Sequence, residues 1–278
     1  MTFRGHNIFV RESRLHAQRP VLLMVHGFPT ASWDWSPVWD ELARDFHLVT
    51  FDLLGFGFSA KPRGHRYTIL EQADLAEAVL ADCGVERFHV LAHDYGDTVA
   101  QDLLARDVER AVPRILSATL LNGGLFPETH RPRLTQKLLL TPLGPLIGRL
   151  NHRRAFGRAM TAIFGPRTPP KVSELDALWT LLIENDGKAA MHRLIQYIPE
   201  RRKYRERWVG ALVNARCPLA LINGSADPVS GAHMVARWRE VVGKGTIVEM
   251  PEIGHYPQIE APHAVLMHFR AFMAGIRN

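Results

Sequence analysis

The sequence VLAHDYGDTVA, residues 90–100, joins an apolar run to a helical pattern through a short segment of small residues. The apolar run predicts a strand, and the spacing of apolar residues after it predicts a helix. Ala92 and Gly96 lie two places either side of Asp94. This pattern is typical of a nucleophile elbow, a strand-to-helix turn so tight that only small residues fit around its tip.

The residue at the tip of this elbow is Asp94, and neither Ser nor Cys stands there. A carboxyl group with an ordinary pKa of about 3.9 is ionised at neutral pH, so it attacks without first losing a proton to a base. Asp94 is therefore predicted to form an ester with an electrophilic sp3 carbon, and the positive end of the next helix would hold its charge. The alternative interpretation is that Asp94 only caps that helix.

Strands and helices alternate along most of the chain. Strands are predicted over residues 7–11, 19–25, 47–51, 88–92, 114–121, 218–223 and 246–250. Helices are predicted over residues 35–45, 69–80, 95–105, 231–242 and 264–274. The continuous apolar run within 19–25 is typical of a strand that is buried on both faces, as in a parallel sheet.

The alternation stops between residues 125 and 210, where helical patterns are broken by Pro and Gly. The sequence thus predicts an α/β fold, a mostly parallel sheet flanked by helices with an inserted helical lid, or cap. The predicted core comprises residues 1–124 and 211–278, and the predicted cap comprises residues 125–210. Such an insertion is expected to lie over the carboxyl ends of the strands.

Two further residues follow predicted strands in the order that an elbow requires, first an acid and then a histidine. Asp227 follows the strand at 218–223, and His255 follows the strand at 246–250. A histidine titrates near neutrality and can take a proton from water, while an aspartate on its other ring nitrogen fixes the tautomer. The backbone N–H groups of Phe28 and Tyr95 are the predicted oxyanion hole.

Charge is distributed unevenly along the sequence. The net charge is +6, and residues 125–210 carry 16 Lys and Arg against 7 Asp and Glu, whereas the rest carries 18 against 21. Five basic residues form a dense run near the end of this block: Arg201, Arg202, Lys203, Arg205 and Arg207. We interpret the run as a solvated helix face, with an anionic surface or substrate tail as the alternative. Nucleic acid is not a predicted partner, because no aromatic reading pattern accompanies the charge.

Composition and the remaining motifs bear on the compartment, on membrane segments and on cofactors. Cys83 and Cys217 lie far apart and the first six residues form no apolar signal segment, so a reducing, cytoplasmic setting is expected. The most apolar stretch, residues 138–150, is interrupted by Pro, Gly and Arg and is too short for a transmembrane segment. The glycines of residues 52–59 lack the third Gly and the helix of a dinucleotide loop. No organic cofactor and no metal site are predicted.

With these residues identified, the chain resembles the α/β-hydrolase superfamily, in the branch of epoxide hydrolases and haloalkane dehalogenases with aspartate nucleophiles. The matching motifs are His26-Gly27-Phe28-Pro29, Asp52-x-x-Gly55-x-Gly57-x-Ser59 and His93-Asp94-x-Gly96. The chain is more closely similar to the mesoderm-specific transcript family, in core and cap alike. Seven segments carry that similarity: residues 26–30, 54–59, 93–97, 122–124, 126–132, 207–212 and 255–258.

The resemblance implies different donors for the two reactions of that branch. Haloalkane dehalogenases hold the halide with side-chain N–H groups, commonly a Trp just after the nucleophile. Tyr95 and Phe28 occupy the two corresponding positions here, and Phe28 has no side-chain donor. Halide release is therefore disfavoured, although four tryptophans elsewhere could compensate: Trp33, Trp35, Trp179 and Trp208.

Epoxide hydrolases, by the same resemblance, use two cap tyrosines to protonate the oxygen that leaves the carbon. Tyr197 and Tyr204 lie seven residues apart and so share one helix face, provided that Pro199 does not break the helix. The alternative is that they only anchor the cap to the core. The residues predicted to contact substrate are Tyr197, Tyr204, Trp33 and His93. Asp97 is predicted either to raise the pKa of Asp94 or, preferably, to cap the helix.

The sequence thus predicts an enzyme, a hydrolase acting on a small apolar electrophile through an Asp94 ester that His255 and Asp227 hydrolyse, with epoxide to diol as the favoured reaction. The alternatives are carbon–halogen hydrolysis, ester or lactone hydrolysis, and a non-catalytic binding protein on the same scaffold. A monomer or a homodimer is expected.

Overall fold

A computed structural model describes residues 1–13 and 19–276, and its central layer is a sheet. The strands within those residues are β1 Thr2–Phe3, β2 His6–Asn7, β3 Val10–Glu12, β4 Val21–Val25, β5 His47–Phe51, β6 Phe88–His93, β7 Ile115–Leu121, β8 Leu219–Gly224 and β9 Thr246–Met250. Strands β3 to β9 form one sheet in the order β3-β5-β4-β6-β7-β8-β9, in which only β3 is antiparallel to its neighbour. The predicted mostly parallel sheet is confirmed.

Helices cover both faces of this sheet. They are α1 Ser36–Leu42, α2 Ile69–Asp82, α3 Tyr95–Glu109, α11 Ala232–Val241, α12 Pro257–Glu260 and α13 Pro262–Ile276, with a 3-10 helix at Ser32–Trp35. One apolar cluster joins α1 and α13 to one face through side chains such as Val38 and Phe269. A larger cluster joins α2, α3 and α11 to the other face through Leu75, Val99 and Trp238. The two buried layers explain why the central strands are apolar throughout.

The first predicted strand, residues 7–11, is interrupted in the structure. The chain changes partner at this point, because β2 pairs with β1 whereas β3 pairs with β5. The N–H of Ile8 donates to the carbonyl of Met1, 2.9 Å away, which completes the small hairpin. The apolar pattern of the sequence alone did not predict this change of pairing partner.

The strand-free part of the chain consists of helices. They are α4 Leu134–Leu139, α5 Gly144–Leu150, α6 Arg153–Thr161, α7 Val172–Ile183, α8 Gly187–Leu194, α9 Tyr197–Lys203 and α10 Arg205–Val213, with a 3-10 helix at Glu184–Asp186. The predicted cap boundary at residue 210 falls inside α10. That helix packs on α3, where the indole N–H of Trp208 donates to Asp102 Oδ1 at 3.0 Å.

Among the described residues, no helix combines the length and the apolar character needed to cross a bilayer.

Candidate active site

The turn between β6 and α3 has the geometry that the sequence predicts for an elbow. Asp94 has φ 48° and ψ −104°, a backbone conformation that residues other than glycine rarely adopt. Its side chain does not cap α3, so the capping interpretation of Asp94 is wrong. Instead, Asp94 Oδ2 accepts a hydrogen bond of 3.0 Å from the backbone N–H of Phe28. The carboxylate therefore lies between the elbow and the loop after β4.

Gly96 allows α3 to approach β4 closely. A Cβ atom at this position would lie 2.3 Å from the carbonyl oxygen of Val25 and 2.7 Å from that of His26. Both are backbone atoms of the central sheet and cannot move independently. The elbow therefore requires glycine two residues after Asp94.

We expect Gly96→Ala to lower the free energy of unfolding by about 3 kcal/mol, because the added methyl group must displace strand backbone. Gly210→Ala in α10 is the matched control, since a Cβ there meets nothing within 4 Å. In a helix this control should be neutral or stabilising by up to about 1 kcal/mol. Urea denaturation of the two variants measures the difference, and equal stabilities would contradict the close approach.

His255 and Asp227 lie beside Asp94. His255 Nδ1 donates to Asp227 Oδ2 at 2.7 Å, and His255 Nε2 lies 4.0 Å from Asp94 Oδ2. All three side chains are buried. The loops after β6, β8 and β9 thus bring together the three residues predicted from the sequence.

Asp227 is held by several donors besides the imidazole. Its Oδ1 accepts from the backbone N–H of Val229, and its Oδ2 accepts from the Asn122 amide and the Ser230 N–H, at 2.7, 3.0 and 3.0 Å. Burial disfavours the charged carboxylate, but His255 and these donors outweigh it and lower the pKa of Asp227 to about 2. The sequence did not predict Asn122 and Ser230 as supports, although Asn122 directly follows β7.

The charge of His255 depends on its two carboxylate neighbours. Burial lowers the pKa of the imidazole, but Asp227 and then Asp94 outweigh it and raise the pKa to about 9. The ring is therefore an imidazolium at neutral pH, paired with two carboxylates. If Asp94 became a neutral ester, one of those charges would vanish and the imidazole would release its proton more readily.

Arg201 is the main site residue that sequence reasoning missed. It was interpreted as part of a solvated face, but it is only 2% exposed. Its Nη2 donates to the carbonyl of Asp94 at 3.1 Å and lies 3.7 Å from Asp94 Oδ1, while Nε donates to Thr98 Oγ1 at 2.7 Å. Burial opposes ionisation of Asp94, yet His255 and Arg201 together lower its pKa. Asp94 is accordingly charged.

Two sequence features accommodate Arg201. A Cβ atom at Gly124 would lie 2.1 Å from Arg201 Nη1, so glycine at this position makes room for the guanidinium. Arg201 also lies four residues after Tyr197, on the same face of α9, and its guanidinium carbon is 4.5 Å from the centre of the Tyr197 ring. The four-residue spacing from Tyr197 is the sequence feature that could have identified Arg201 as a site residue.

The other basic residues of the dense run are engaged differently. Arg205 pairs with Glu128, and Arg207 pairs with Asp102 and Glu109. Arg202 and Lys203 are exposed. Only these last two therefore match the solvated face that the sequence suggested.

Asp97 is a second buried carboxyl group near Asp94. Its Oδ1 accepts from the backbone N–H of Leu121 in β7 at 3.4 Å, so the preferred interpretation, a cap for its own helix, is wrong. Burial and the charge of Asp94 raise the pKa of Asp97 well above its ordinary value. The pKa of Asp94, in contrast, is lowered rather than raised.

The two cap tyrosines occupy different places. Tyr197 is buried, and its ring packs against Phe28 and Tyr95 with centroid distances of 5.8 and 4.9 Å. Burial and the charge of Asp94 raise the pKa of its hydroxyl, which remains protonated. Tyr204 instead packs against Trp208, away from this group. Pro199 does not break α9, which runs unbroken from Tyr197 to Lys203, and Tyr204 lies between α9 and α10. The two rings nevertheless contact different partners.

None of the four residues predicted to contact substrate, His93, Trp33, Tyr197 and Tyr204, is part of the lining of the apolar cavity that reaches His255. His93 is fully buried, and its Nε2 lies 2.7 Å from the carbonyl oxygen of His255. Burial lowers the pKa of His93 to about 3, so the ring is neutral and donates to that carbonyl. His93 thus holds the backbone of the His255 loop through this hydrogen bond. Trp33 is half-buried and packs against the core.

Asp94, His255 and Asp227 are called the triad below, and an apolar cavity of about 330 Å³ reaches this group at His255. Its lining includes Leu139, Ile147, Phe156, Met160, Ile163 and Met191. At the inner end it reaches Phe28 and His255, the two residues that flank the Asp94 carboxylate. A larger depression of about 510 Å³, lined by His65, Glu200 and Tyr204, touches none of the triad. The smaller cavity is therefore the candidate substrate site.

Glu260 connects the His255 loop to the cap. Its Oε2 accepts from the N–H of Gly165, the hydroxyl of Thr168 and the N–H of Gly254, at 2.7, 2.6 and 2.9 Å. Its Oε1 accepts from the N–H of Tyr256 at 2.9 Å. In addition, the N–H of His255 donates to the carbonyl of Ile163 in the cap at 2.8 Å. This part of the cap and the loop of the candidate base form one hydrogen-bonded unit.

Comparison with known proteins agrees with this architecture. The chain is 43% identical over 282 residues to the mesoderm-specific transcript homolog protein of Bos taurus, covering 98% of this chain and 84% of that protein. It is 42% identical over 258 residues to LipZ of Mycobacterium tuberculosis, covering 92% and 88%. A loop variant of haloalkane dehalogenase DbeA from Bradyrhizobium elkanii has a TM-score of 0.83 at 22% identity, covering 100% and 96%.

The last of these similarities concerns the fold alone. The sequence profile of the alpha/beta hydrolase family matches residues 22–267, which include all of β4 but its first residue, the elbow, the helices of residues 134–213 and the His255 loop. Both the resemblance inferred from the motifs and the fold inferred from the strand pattern are confirmed. The chain belongs to the alpha/beta hydrolase family.

Proposed function

We propose that this hydrolase uses Asp94 as a nucleophile to open an epoxide, and that His255 and Asp227 then hydrolyse the resulting ester to release a diol. One observation carries the proposal. A charged carboxylate at the tip of the elbow lies 4.0 Å from an imidazole whose other nitrogen is bonded to a second buried carboxylate. A serine nucleophile is not needed in this arrangement, and none stands at the tip.

In the first step, an Asp94 oxygen forms a bond to an epoxide carbon while the ring C–O bond breaks. The oxygen that leaves the carbon takes a proton from the Tyr197 hydroxyl, which is protonated and makes no well-formed hydrogen bond to other described residues. Arg201 lies against the Tyr197 ring and would stabilise the tyrosinate that remains. The product of this step is a hydroxyalkyl ester of Asp94.

In the second step, the imidazolium of His255 is no longer paired with a charged Asp94 and first releases its proton to solvent. Water then adds to the carbonyl carbon of the Asp94 ester and gives a proton to His255 Nε2. The N–H of Phe28, already 3.0 Å from Asp94 Oδ2, is positioned to stabilise the oxyanion. Tyr95, the first residue of α3, is the second proposed donor through its backbone N–H. The tetrahedral intermediate then collapses, and the diol oxygen leaves with the proton from His255. The regenerated Asp94 carboxyl group gives its proton to His255, and Tyr197 regains its proton from solvent.

The cavity supports epoxide opening over halide release. Halide release needs side-chain N–H donors at the inner end of the cavity, and no tryptophan is among the described residues that line it. The indole N–H of Trp208 donates to Asp102, and Trp35 lies in the apolar cluster on the other face of the sheet. Tyr197 does not line the cavity either, but its ring packs against Phe28, which does, with a centroid distance of 5.8 Å.

A single turnover in water enriched in oxygen-18 tests the ester step. The diol from the first turnover should contain no label, and a peptide containing Asp94 should gain one labelled oxygen. Label in the first diol, with none in Asp94, would show that water attacks the epoxide directly and would contradict the proposal. Halide release from a haloalkane panel, without diol formation from epoxides, would favour the other reaction.

Arg201 is proposed to position and hold the charge of Asp94. We expect Arg201→Met to lower kcat/KM by about tenfold, because a buried cation no longer favours the carboxylate. The same change raises the pKa of Asp94, so the acidic limb of the pH profile of kcat/KM should move to higher pH. The measurement is kcat/KM for epoxide hydrolysis as a function of pH.

Two further variants control this experiment. Arg201→Lys retains the positive charge and should recover most of the acidic limb, while Arg202→Met changes the exposed neighbour and should leave the profile unchanged. A loss of activity in Arg201→Met with the acidic limb unmoved would indicate a packing role only.

A further inference from the structure

Helices α4 and α5 and the turn between them expose five leucines in a basic part of the chain. Leu134, Leu138, Leu143, Leu146 and Leu150 are exposed by 71, 40, 63, 55 and 67%. Leu134 and Leu138 are four residues apart in α4, and Leu146 and Leu150 are four apart in α5, so each pair shares a helix face. We call these five residues the leucine face. A cluster of this kind on a protein surface marks an interaction site.

The same part of the chain is strongly basic. Between Glu128 and Glu174 the sequence contains nine Lys and Arg and no Asp or Glu. Three of the nine pair with carboxylates, namely Arg153 with Asp176, Arg167 with Glu252 and Lys171 with Glu174. The other six make no ion pair with a carboxylate in residues 1–13 and 19–276. They are Arg131, Arg133, Lys137, Arg149, Arg154 and Arg158.

The leucine face lies at the mouth of the substrate cavity. Leu138 and Leu150 line the cavity while remaining exposed, and Arg133 lies on the same rim. Helices α4 and α5 pack against each other, and Gly144 approaches the carbonyl of Leu139 so closely that a Cβ there would lie 2.2 Å from its oxygen. The apolar lining of the cavity therefore continues onto the apolar surface outside it.

We propose that the leucine face and its six unpaired cations dock this protein on a lipid bilayer that contains anionic headgroups. Leucines on one side of short helices enter the headgroup boundary, and lysines and arginines beside them attract anionic lipids. Five exposed leucines do not suit a nucleic acid backbone. The absence of carboxylates from this segment matches an anionic surface. An apolar substrate would then pass from the bilayer into the cavity without crossing water.

Flotation with phospholipid vesicles tests this surface. The wild-type protein should float with vesicles of phosphatidylcholine and phosphatidylglycerol, and binding should weaken with added salt and be lost with phosphatidylcholine alone. The triple variant Lys137→Gln, Arg149→Gln, Arg154→Gln should weaken binding by about fivefold per cation, on the order of a hundredfold in all. These three side chains are exposed, so the fold should be preserved.

The apolar contribution is tested separately. Leu134→Ser with Leu146→Ser, at two exposed positions outside the cavity lining, should lower vesicle binding by at least about tenfold. The matched control, Val112→Ser with Met267→Ser, changes two residues of the core domain that are 74 and 59% exposed and should bind as wild type does. Asp94→Asn should also bind as wild type does, because docking does not depend on the ester chemistry.

Several outcomes would overturn the proposal. They are failure of the wild-type protein to float with anionic vesicles, binding by the leucine or charge variants equal to that of wild type, and a leucine face buried between two copies of the chain. The last would appear as a dimer in light scattering that Leu134→Ser with Leu146→Ser converts to monomer.

Discussion

Replacement of Asp94 by Asn is expected to lower the rate of epoxide hydrolysis by at least about 10⁴-fold. Removing a nucleophile that works together with other catalytic residues lowers the rate by that order or more. An amide is not ionised and does not form the ester. The fold should be retained, because the Phe28 N–H can still donate to the amide oxygen in place of Asp94 Oδ2. Diol formation over a panel of aliphatic and aryl epoxides, with circular dichroism of the variant, provides the measurement.

Asp97→Asn is the matched control for this experiment. Asp97 is buried three residues after Asp94, and burial and the charge of Asp94 raise its pKa well above the ordinary value. An amide of the same shape can accept from the Leu121 N–H, so activity should stay within about tenfold of wild type. Loss of activity in Asp97→Asn together with full activity in Asp94→Asn would contradict the assignment of the nucleophile. An unchanged biological effect of Asp94→Asn would favour a non-catalytic binding protein.

Replacement of His255 by Gln is expected to separate the two steps of the reaction. Asp94 remains ionised and forms the ester, but no side chain remains to take a proton from water, so turnover should fall by at least about 10⁴-fold. The variant should release little diol and gain the mass of one substrate molecule. Intact-protein mass spectrometry after incubation with an epoxide measures this adduct, and peptide mapping locates it.

Asp227→Asn tests the support of the base in the same assay. The imidazole would lose the carboxylate that fixes its tautomer and stabilises its protonated form, so the ester should accumulate transiently and decay slowly. If neither variant forms an adduct while both lose turnover, the ester step is contradicted. Ester accumulation in the wild-type protein, in contrast, would show only that hydrolysis limits the rate.

The sequence predicted those parts of the fold and site that local pattern controls. Apolar runs located β4, β6 and β8, and the small residues around Asp94 located the elbow. The acid and the histidine were found because each directly follows a strand of a parallel sheet, where all carboxyl ends meet at one edge. These residues could be predicted without knowing how the cap folds or where it lies.

The residues that the sequence misplaced all depend on contacts between distant segments. Arg201 looked solvated because its neighbours are charged, and its burial results from packing of α9 on the elbow. Tyr204 was placed by a period of seven that holds only in an unbroken helix. His93 was taken for a substrate contact, but its ring is directed to the backbone of a loop 162 residues away in sequence. Periodicity contains no information on such long-range contacts.

The four hydrogen bonds of the Glu260 carboxylate limit how the enzyme can exchange substrate and product. If residues 163–168 moved away from the core, they would pull on the backbone of Gly254 and Tyr256 and displace the imidazole between them. We therefore expect the cap to be anchored at that end and to admit substrate along the part of the cavity that residues of α4 and α5 line. Product release would then proceed while the general base stays in position, so successive turnovers need not reassemble it.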